Sequence, residues 1–330
     1  MERCSKCGFP LKTRPLTKDK DGVCLACINH EKAKTFDWAK REKDLRTICE
    51  KRKSQNGDYD CVVAVSGGKD STVIVANLVE KYKMKCLLVT VTDEFTHTKA
   101  GEHNAKNIAE RFNCDHITWR CEPKTFIEET KKDFEETLHP LKWVEEKIYD
   151  VPTNIARKFG IPLVFFGENS AFQYGTRHKL DYLHEKSDGE VMILFFFAFY
   201  PYSEQGNREF AKKHGFIDLD DTGEWLRQGN IENYTQQDSI AYIIQLWTKF
   251  VKFGFQRVSD IASRYVRDGL LTLEQSLAYI KERDWKCDPQ AKRDFCKTIG
   301  ITEDYFDGVV SKHANRDLVE QDVNGQWKLK

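Results

Sequence analysis

Short runs of aliphatic and β-branched residues alternate with longer amphipathic stretches through the middle of the chain. Cys61–Val65 (CVVAV), Cys86–Val91 (CLLVTV), Asp115–Trp119, Ile161–Phe166 (IPLVFF) and Val191–Phe197 read as strands. Between them, Thr72–Tyr82 and Glu102–Phe112 carry helical spacing, and helical material continues to Phe159. Strands alternating with helices predict βαβ units and a parallel sheet, an α/β fold whose ligands sit beyond the carboxyl ends of the strands.

The flanks read differently. Thr35–Lys53 is highly charged, with Phe36, Trp38, Leu45 and Ile48 as its expected buried stripe, and the turn-rich Ser54–Asp58 marks a boundary. From about Ser203 the pattern becomes helical. Ile240, Ile243, Ile244, Trp247, Phe250 and Val251 share one helix face. Four regions follow: a cysteine module at 1–34, a helical linker at 35–57, the α/β domain at 58–215 and a mainly helical region at 216–330.

With 21 Phe, 12 Tyr and 7 Trp among 330 residues, the chain can bury a sizeable core. Its 52 Lys+Arg cancel its 52 Asp+Glu, so global charge points to no nucleic-acid partner. Residues 1–53 hold 15 basic against 8 acidic side chains, a local excess of +7. A solvated basic surface, partly offset by thiolates, is the plainer reading; contact with RNA or a phosphorylated substrate is the other. Met1–Asp21 is polar throughout, unlike a signal peptide, and the longest apolar run, Val191–Tyr200, is half the roughly 20 residues a bilayer span needs. A soluble, cytoplasmic protein is expected. Eleven cysteines, seven of them scattered singly, suit a reducing compartment and one metal site.

Cys4-x-x-Cys7 and Cys24-x-x-Cys27 have the spacing of two knuckles that close a tetrahedral, zinc-ribbon-like Cys4 site. Four thiolates leave no open position, so structural zinc is the expectation, with a redox or iron–sulfur site as the alternative.

Ser66-Gly67-Gly68-Lys69-Asp70-Ser71-Thr72 follows a strand and opens a helix. Glycines let backbone N–H groups converge on an anion, and the helix N-terminus adds partial positive charge. Lys69 adds a full charge, Ser66, Ser71 and Thr72 offer hydroxyls, and Asp70 beside a phosphate implies a bridging Mg2+. The spacing differs from the Walker loop. It resembles the SGGxDS loop of PP-loop ATP pyrophosphatases (HUP-like, adenine nucleotide alpha hydrolase fold), which cleave ATP between the α- and β-phosphates. Thr90 and Thr92 at the end of the second strand, and Gly167, Glu168 and Asn169 at the end of the fourth, fall where that class places its nucleotide pocket. Lys69, Asp70 and Glu168 form the expected catalytic set.

Further segments extend the resemblance almost end to end: Gly22-Val23-Cys24-x-x-Cys27, Asp37-Trp38, His97-Thr98 with Gly101 and Asn104, Tyr174-Gly175, and Lys252–Arg257 through Arg267-Asp268-Gly269. With the loop, these resemble the N-acetyl sugar amidotransferase family of lipopolysaccharide and surface-glycan biosynthesis. Gln256 stands where that family's pattern has glycine, and Leu273 where it has arginine. The resemblance implies an ATP-dependent amidotransferase that converts an N-acetyl group on a sugar into an acetamidino group, releasing AMP and pyrophosphate. It implies ammonia from a separate glutamine amidotransferase subunit, because the chain lacks the G-x-C-x-G motif of a glutaminase. His97, Asn169, Tyr174, Lys252 and Arg257 are the substrate-side candidates, with Arg267 beside them. A tRNA thiolase of the same class and a non-catalytic zinc- and nucleotide-binding module are the alternatives.

Overall fold

The computed structural model describes residues 1–11, 21–54, 58–167 and 191–330, and the backbone of 186–188. Two helices precede the sheet, α1 (Leu25–Ala33) and α2 (Trp38–Lys51), the second capped by Asp37, which accepts from Lys40 N at 2.9 Å. The sheet strands are β1 (Cys61–Ala64), β2 (Cys86–Val91), β3 (Asp115–Trp119), β4 (Leu163–Phe166), β5 (Lys186–Asp188) and β6 (Val191–Phe195). Their order is β3-β2-β1-β4-β6-β5; the first five positions run parallel, and β5 lies antiparallel on the edge.

Helices α3 (Lys69–Ala76), α4 (Lys99–Phe112), α5 (Pro123–Thr137) and α6 (Lys142–Phe159) are interleaved with these strands, and α7 (Glu204–Lys213) follows them. Residues along each strand divide between two layers, as a pleated ribbon requires. Val63, Leu88, Phe165 and Leu194 pack with Leu45 of α2, Ile74 of α3 and Ile108 of α4. Val62, Leu87, Val89, Val164 and Phe166 pack with Val151 and Ala156 of α6 on the other face.

The C-terminal region contains α8 (Ile243–Phe253), α9 (Arg257–Arg267), α10 (Leu273–Arg283), α11 (Pro289–Ile299) and α12 (Glu303–His313). A hairpin of β7 (Val319–Gln321) and β8 (Trp327–Leu329) ends it. Its core of Trp247, Phe295, Phe306 and Trp327 is continuous with Phe126 and Phe134 of α5 and with Phe95 after β2. Each such ring contributes about 2 kcal/mol of burial, so the helical region is fused to the α/β region by a shared core. No helix among the described residues is long and apolar enough to cross a membrane.

Several expectations shift. The segment Val191–Phe197 is strand only to Phe195; a 3-10 turn follows at Phe196–Ala198. Phe196 and Phe197 are both buried, and consecutive inward side chains cannot be met by strand alternation. Helix α3 begins at Lys69 rather than Thr72, and α4 at Lys99 rather than Glu102, where Thr98 Oγ1 caps Gly101 N at 2.9 Å. Of the expected stripe, Leu45 is buried and Ile48 packs against the same core, while Phe36 and Trp38 are only half-buried; Arg41 and Cys49 complete the buried face of α2. Phe36 and Trp38 meet edge to face at 5.5 Å, and Arg41 lies 4.0 Å from the Phe36 ring centre.

Candidate functional site

The Ser66–Ser71 loop leaves the carboxyl end of β1, the central strand. The chain builds outward from β1 to β2 and β3, then crosses back to β4 on the other side of β1. The crevice between β1 and β4 is therefore the topological switch point, where open α/β sheets receive ligands. Gly167, following β4, borders the same crevice.

Gly67 sits at φ +80°, and a Cβ there would lie 2.7 Å from Ala105 N and 2.8 Å from the Asn104 carbonyl carbon. The loop thus presses directly on the α4 backbone. Ser66 N donates to Ser71 Oγ at 3.2 Å, and Gly68 N to Ser66 Oγ at 3.3 Å. These hydroxyls occupy the N–H groups an anion would take. Ser66 is exposed, while Ser71 and Thr72 are buried.

Lys69 does not extend into solvent; its side chain is 4% exposed. Its ammonium lies 2.8 Å from Asp70 Oδ2, 2.9 Å from Glu204 Oε1 and 3.2 Å from the Tyr202 hydroxyl. The Lys69–Glu204 contact is an ion pair rather than an aligned hydrogen bond. Glu204, at the start of α7, also pairs with Arg264 of α9. Asn207 Nδ2 donates to Asp70 Oδ1 at 2.7 Å, and the Tyr202 hydroxyl lies 3.2 Å from Asp70 Oδ2 and 3.0 Å from Glu204 Oε2. Burial alone would lower the Lys69 pKa, but Asp70, Tyr202 and Glu204 outweigh it and hold it well above the lysine value. Burial would likewise raise Glu204, yet Lys69 and Arg264 hold it well below the carboxylate range.

At the end of β2, Thr90 Oγ1 donates to Val65 O at 2.8 Å and lies 2.8 Å from His116 Nε2. Thr92 Oγ1 is 3.3 Å from His97 Nε2, which is also 3.7 Å from Asp93 Oδ1. A strap from the C-terminal region lies across this point. Thr98 N donates to Asp238 O at 3.1 Å, Ile240 N to Thr96 O at 2.9 Å, and Ser239 Oγ to Asp93 Oδ2 at 2.7 Å. Burial pushes the Asp238 carboxyl up to about 7, with Asp93 adding to the shift and His97 opposing it.

Two substrate candidates are engaged within the fold. Lys252 Nζ donates to Leu138 O at 2.6 Å and Thr137 O at 3.3 Å, closing the C-terminus of α5. Arg257 is buried and donates to Thr235 Oγ1 at 2.7 Å. Glu168, Asn169 and Tyr174 lie outside the described residues. Tyr202, Glu204, Asn207 and Arg264 escaped the sequence reading because no short motif joins them; they meet only through the packing of α7 and α9 on the loop.

Cys4, Cys7, Cys24 and Cys27 are buried with all four sulfurs within 4.8 Å of one another. Separations of 3.9 Å (Cys4–Cys27) and 3.7 Å (Cys7–Cys24) match the roughly 3.8 Å edge of a tetrahedron with 2.3 Å metal–sulfur bonds. Cys24 N donates to Cys4 Sγ at 3.2 Å, and Gly8 N to Cys4 O at 2.9 Å, shaping the knuckle. The group could bind a metal. The module packs on the C-terminal region: Phe9 meets Phe255 edge to face at 5.8 Å, and Arg3 Nη1 donates to Ser259 Oγ at 3.2 Å.

Residues 228–330, which supply Asp238 and Arg264 to these clusters, match the family model described as LPS biosynthesis protein WbpG-like, C-terminal domain. Over this stretch the chain is similar to that family's C-terminal domain. An uncharacterized protein of Methanocaldococcus jannaschii, MJ1599, is 24% identical over 275 residues, spanning 83% of this chain and 91% of its own. Among solved structures, NMN synthetase from Francisella tularensis aligns at 14% identity and TM-score 0.37, over 81% of this chain and 94% of its own. The NH3-dependent NAD synthetase of Campylobacter jejuni aligns at 17% and 0.36, over 55% and 79%. The U34-tRNA thiolase NcsA of Methanococcus maripaludis aligns at 13% and 0.39, over 90% and 95%.

Proposed function

We propose that this chain is an ATP-dependent amidotransferase of bacterial surface-glycan biosynthesis, acting on an N-acetyl sugar. The observation that carries the reading is the SGGKDS loop at the switch point of the sheet, joined through Glu204 to Arg264 of the WbpG-like C-terminal region. An amide carbon is a poor electrophile, so the acetamido oxygen attacks the α-phosphorus of ATP and pyrophosphate departs. Ammonia then adds to the activated carbon and loses a proton, and AMP leaves with the original oxygen. The product is an acetamidine, with nitrogen where the carbonyl oxygen stood.

In this reading pyrophosphate displaces the Ser66 and Ser71 hydroxyls from the loop N–H groups, and both the freed N–H groups and the hydroxyls donate to it. The Asp70 side chain, 32% exposed at the N-terminus of α3, fits one carboxylate ligand for Mg2+, which would offset charge on the phosphates. Lys69 acts from behind the loop through its field. Thr90, Thr92 and Gly167 border the nucleotide, Glu168 is assigned to the catalytic set, and His97, Asn169 and Tyr174 are assigned to sugar recognition. The four cysteines suit structural Zn2+, which would hold the N-terminal module together. A glutamine amidotransferase subunit supplies ammonia, and the work is done in the ATP-containing, reducing cytoplasm.

The test is incubation with ATP, Mg2+, ammonium and a panel of acetamido-sugar nucleotides, read by mass spectrometry and by AMP and pyrophosphate formation. One AMP per O-to-NH replacement is expected. AMP release without that replacement removes the amidotransferase assignment; no AMP with any sugar of the panel removes the enzymatic one.

A further inference from the structure

The ammonium of Lys69 is shared between two carboxylates of different exposure. Asp70 is one-third exposed beside the loop, and Glu204 is fully buried behind it. Asp70 is the carboxylate the loop offers to a divalent cation, yet in this structure one of its oxygens is taken by Lys69 and the other by Asn207. A cation arriving at Asp70 must displace or share with the ammonium. That ammonium is almost wholly removed from water, so it needs another full negative charge within reach.

We propose that Glu204, held by Arg264, is a positioning residue that retains the Lys69 ammonium when Asp70 takes Mg2+. The proposal rests on the reading of the loop as an ATP–Mg2+ site. Glu204 is suited to the task because its carboxylate lies between two cations, Lys69 on one side and Arg264 on the other. Its second oxygen is fixed by Arg264, so the first stays aimed at Lys69. Tyr202 has one phenolic proton and lies within reach of both carboxylates; it serves whichever of them needs a donor. The pair is thus a counter-charge set behind the loop, and one half of it comes from the WbpG-like region.

Neutralising Glu204 while keeping its shape leaves Asp70 as the only carboxylate paired with Lys69 among the described residues. The ammonium then competes with Mg2+ for Asp70, and more Mg2+ is needed for the same occupancy. A residue that only fills space would not produce this competition, and removing the competitor would not repair the loss of one.

The experiment measures ATP binding by equilibrium dialysis of the full-length, metal-loaded protein across a Mg2+ titration. Glu204→Gln is expected to raise the half-saturating Mg2+ concentration about fivefold to tenfold with the same plateau. The double variant Lys69→Met/Glu204→Gln is expected to return it to within about twofold of wild type. If Glu204→Gln does not fold, Lys69→Met alone carries the test, and its half-saturating Mg2+ concentration should fall below that of wild type. An unshifted Glu204→Gln, a shift that the double variant does not reverse, or an unchanged or higher value for Lys69→Met overturns the proposal. Wild-type protein that binds no ATP at any Mg2+ concentration overturns the functional reading and this inference together.

Discussion

The guanidinium Nη1 of Arg267 lies 3.6 Å from the Sγ of Cys7. One helical turn earlier on α9, Arg264 pairs with Glu204 behind the Ser66–Ser71 loop. The last turn of a single helix therefore touches both the cysteine group and, through Glu204, the loop lysine. Asp268, just past the helix, stands 4.0 Å from His30 and adds a second contact with the cysteine module.

Removing metal should therefore disturb more than the module itself. Structural zinc sites bind with about 10 kcal/mol or more, and without metal the four buried sulfurs lose the bond that holds Phe9 against Phe255. A chelator is expected to lower the melting temperature by several degrees, about 5 °C or more, to open residues 1–34 to protease, and to weaken ATP binding. Elemental analysis should find about one zinc per chain. Full ATP affinity and an unchanged melting temperature after complete metal removal would disconnect the module from the loop.

Gly67→Ala tests the loop against the α4 backbone. The added methyl meets backbone atoms under 3.0 Å away, and the positive φ adds strain, together about 1–3 kcal/mol. The loop must shift to relieve the clash, so ATP-dependent AMP formation should fall at least about 100-fold. Gly160→Ala is the matched control: φ is +67° with nothing within 4 Å of the new methyl. It should cost about 1 kcal/mol and leave activity unchanged.

The sheet was legible in the sequence because its strands are short, apolar and separated by helical spacing. Cys86–Val91 and Asp115–Trp119 fall on the expected residues, and the loop lies between β1 and α3. The side chains around that loop were not legible. Glu204 stands 135 positions after Lys69, and Arg264 another 60 after that, in segments whose local pattern reads only as charged helix. Lys69 looked like a phosphate-facing cation because a motif gives order but not direction. In the fold it occupies the first turn of α3 with its side chain turned toward α7. The edge strand β5 and the β7–β8 hairpin were missed for a simpler reason: three-residue strands carry too little periodicity to be read.

Lys252 separates a ligand-binding role from a structural one. Its ammonium closes the last carbonyls of α5, where a cation also favours the helix dipole. Lys252→Met should lower stability by about 0.5–1.5 kcal/mol in a denaturant titration while leaving the KM for the sugar nucleotide unchanged. A raised KM at full stability would return Lys252 to the substrate site.

Asp238 should leave a signature in the pH dependence of stability. The carboxyl titrates near 7 in the folded protein, raised by burial and by Asp93, against 3.8 for an ordinary aspartate. Asp93 is itself raised, by its own burial and by Asp294, with Ser239, His97 and Phe95 N opposing. Between about pH 4 and pH 7 the folded chain holds a proton on Asp238 that the unfolded chain has released, so stability contributed by this group falls as pH rises through that window. Asp238→Asn removes the ionisable group and with it the slope. The variant should melt above wild type at pH 8 and show no such advantage at pH 4. Parallel curves for the two proteins from pH 4 to pH 8 would mean that Asp238 ionises in the fold as it does in water, and that the strap across β2 brings no charge conflict to the end of the sheet.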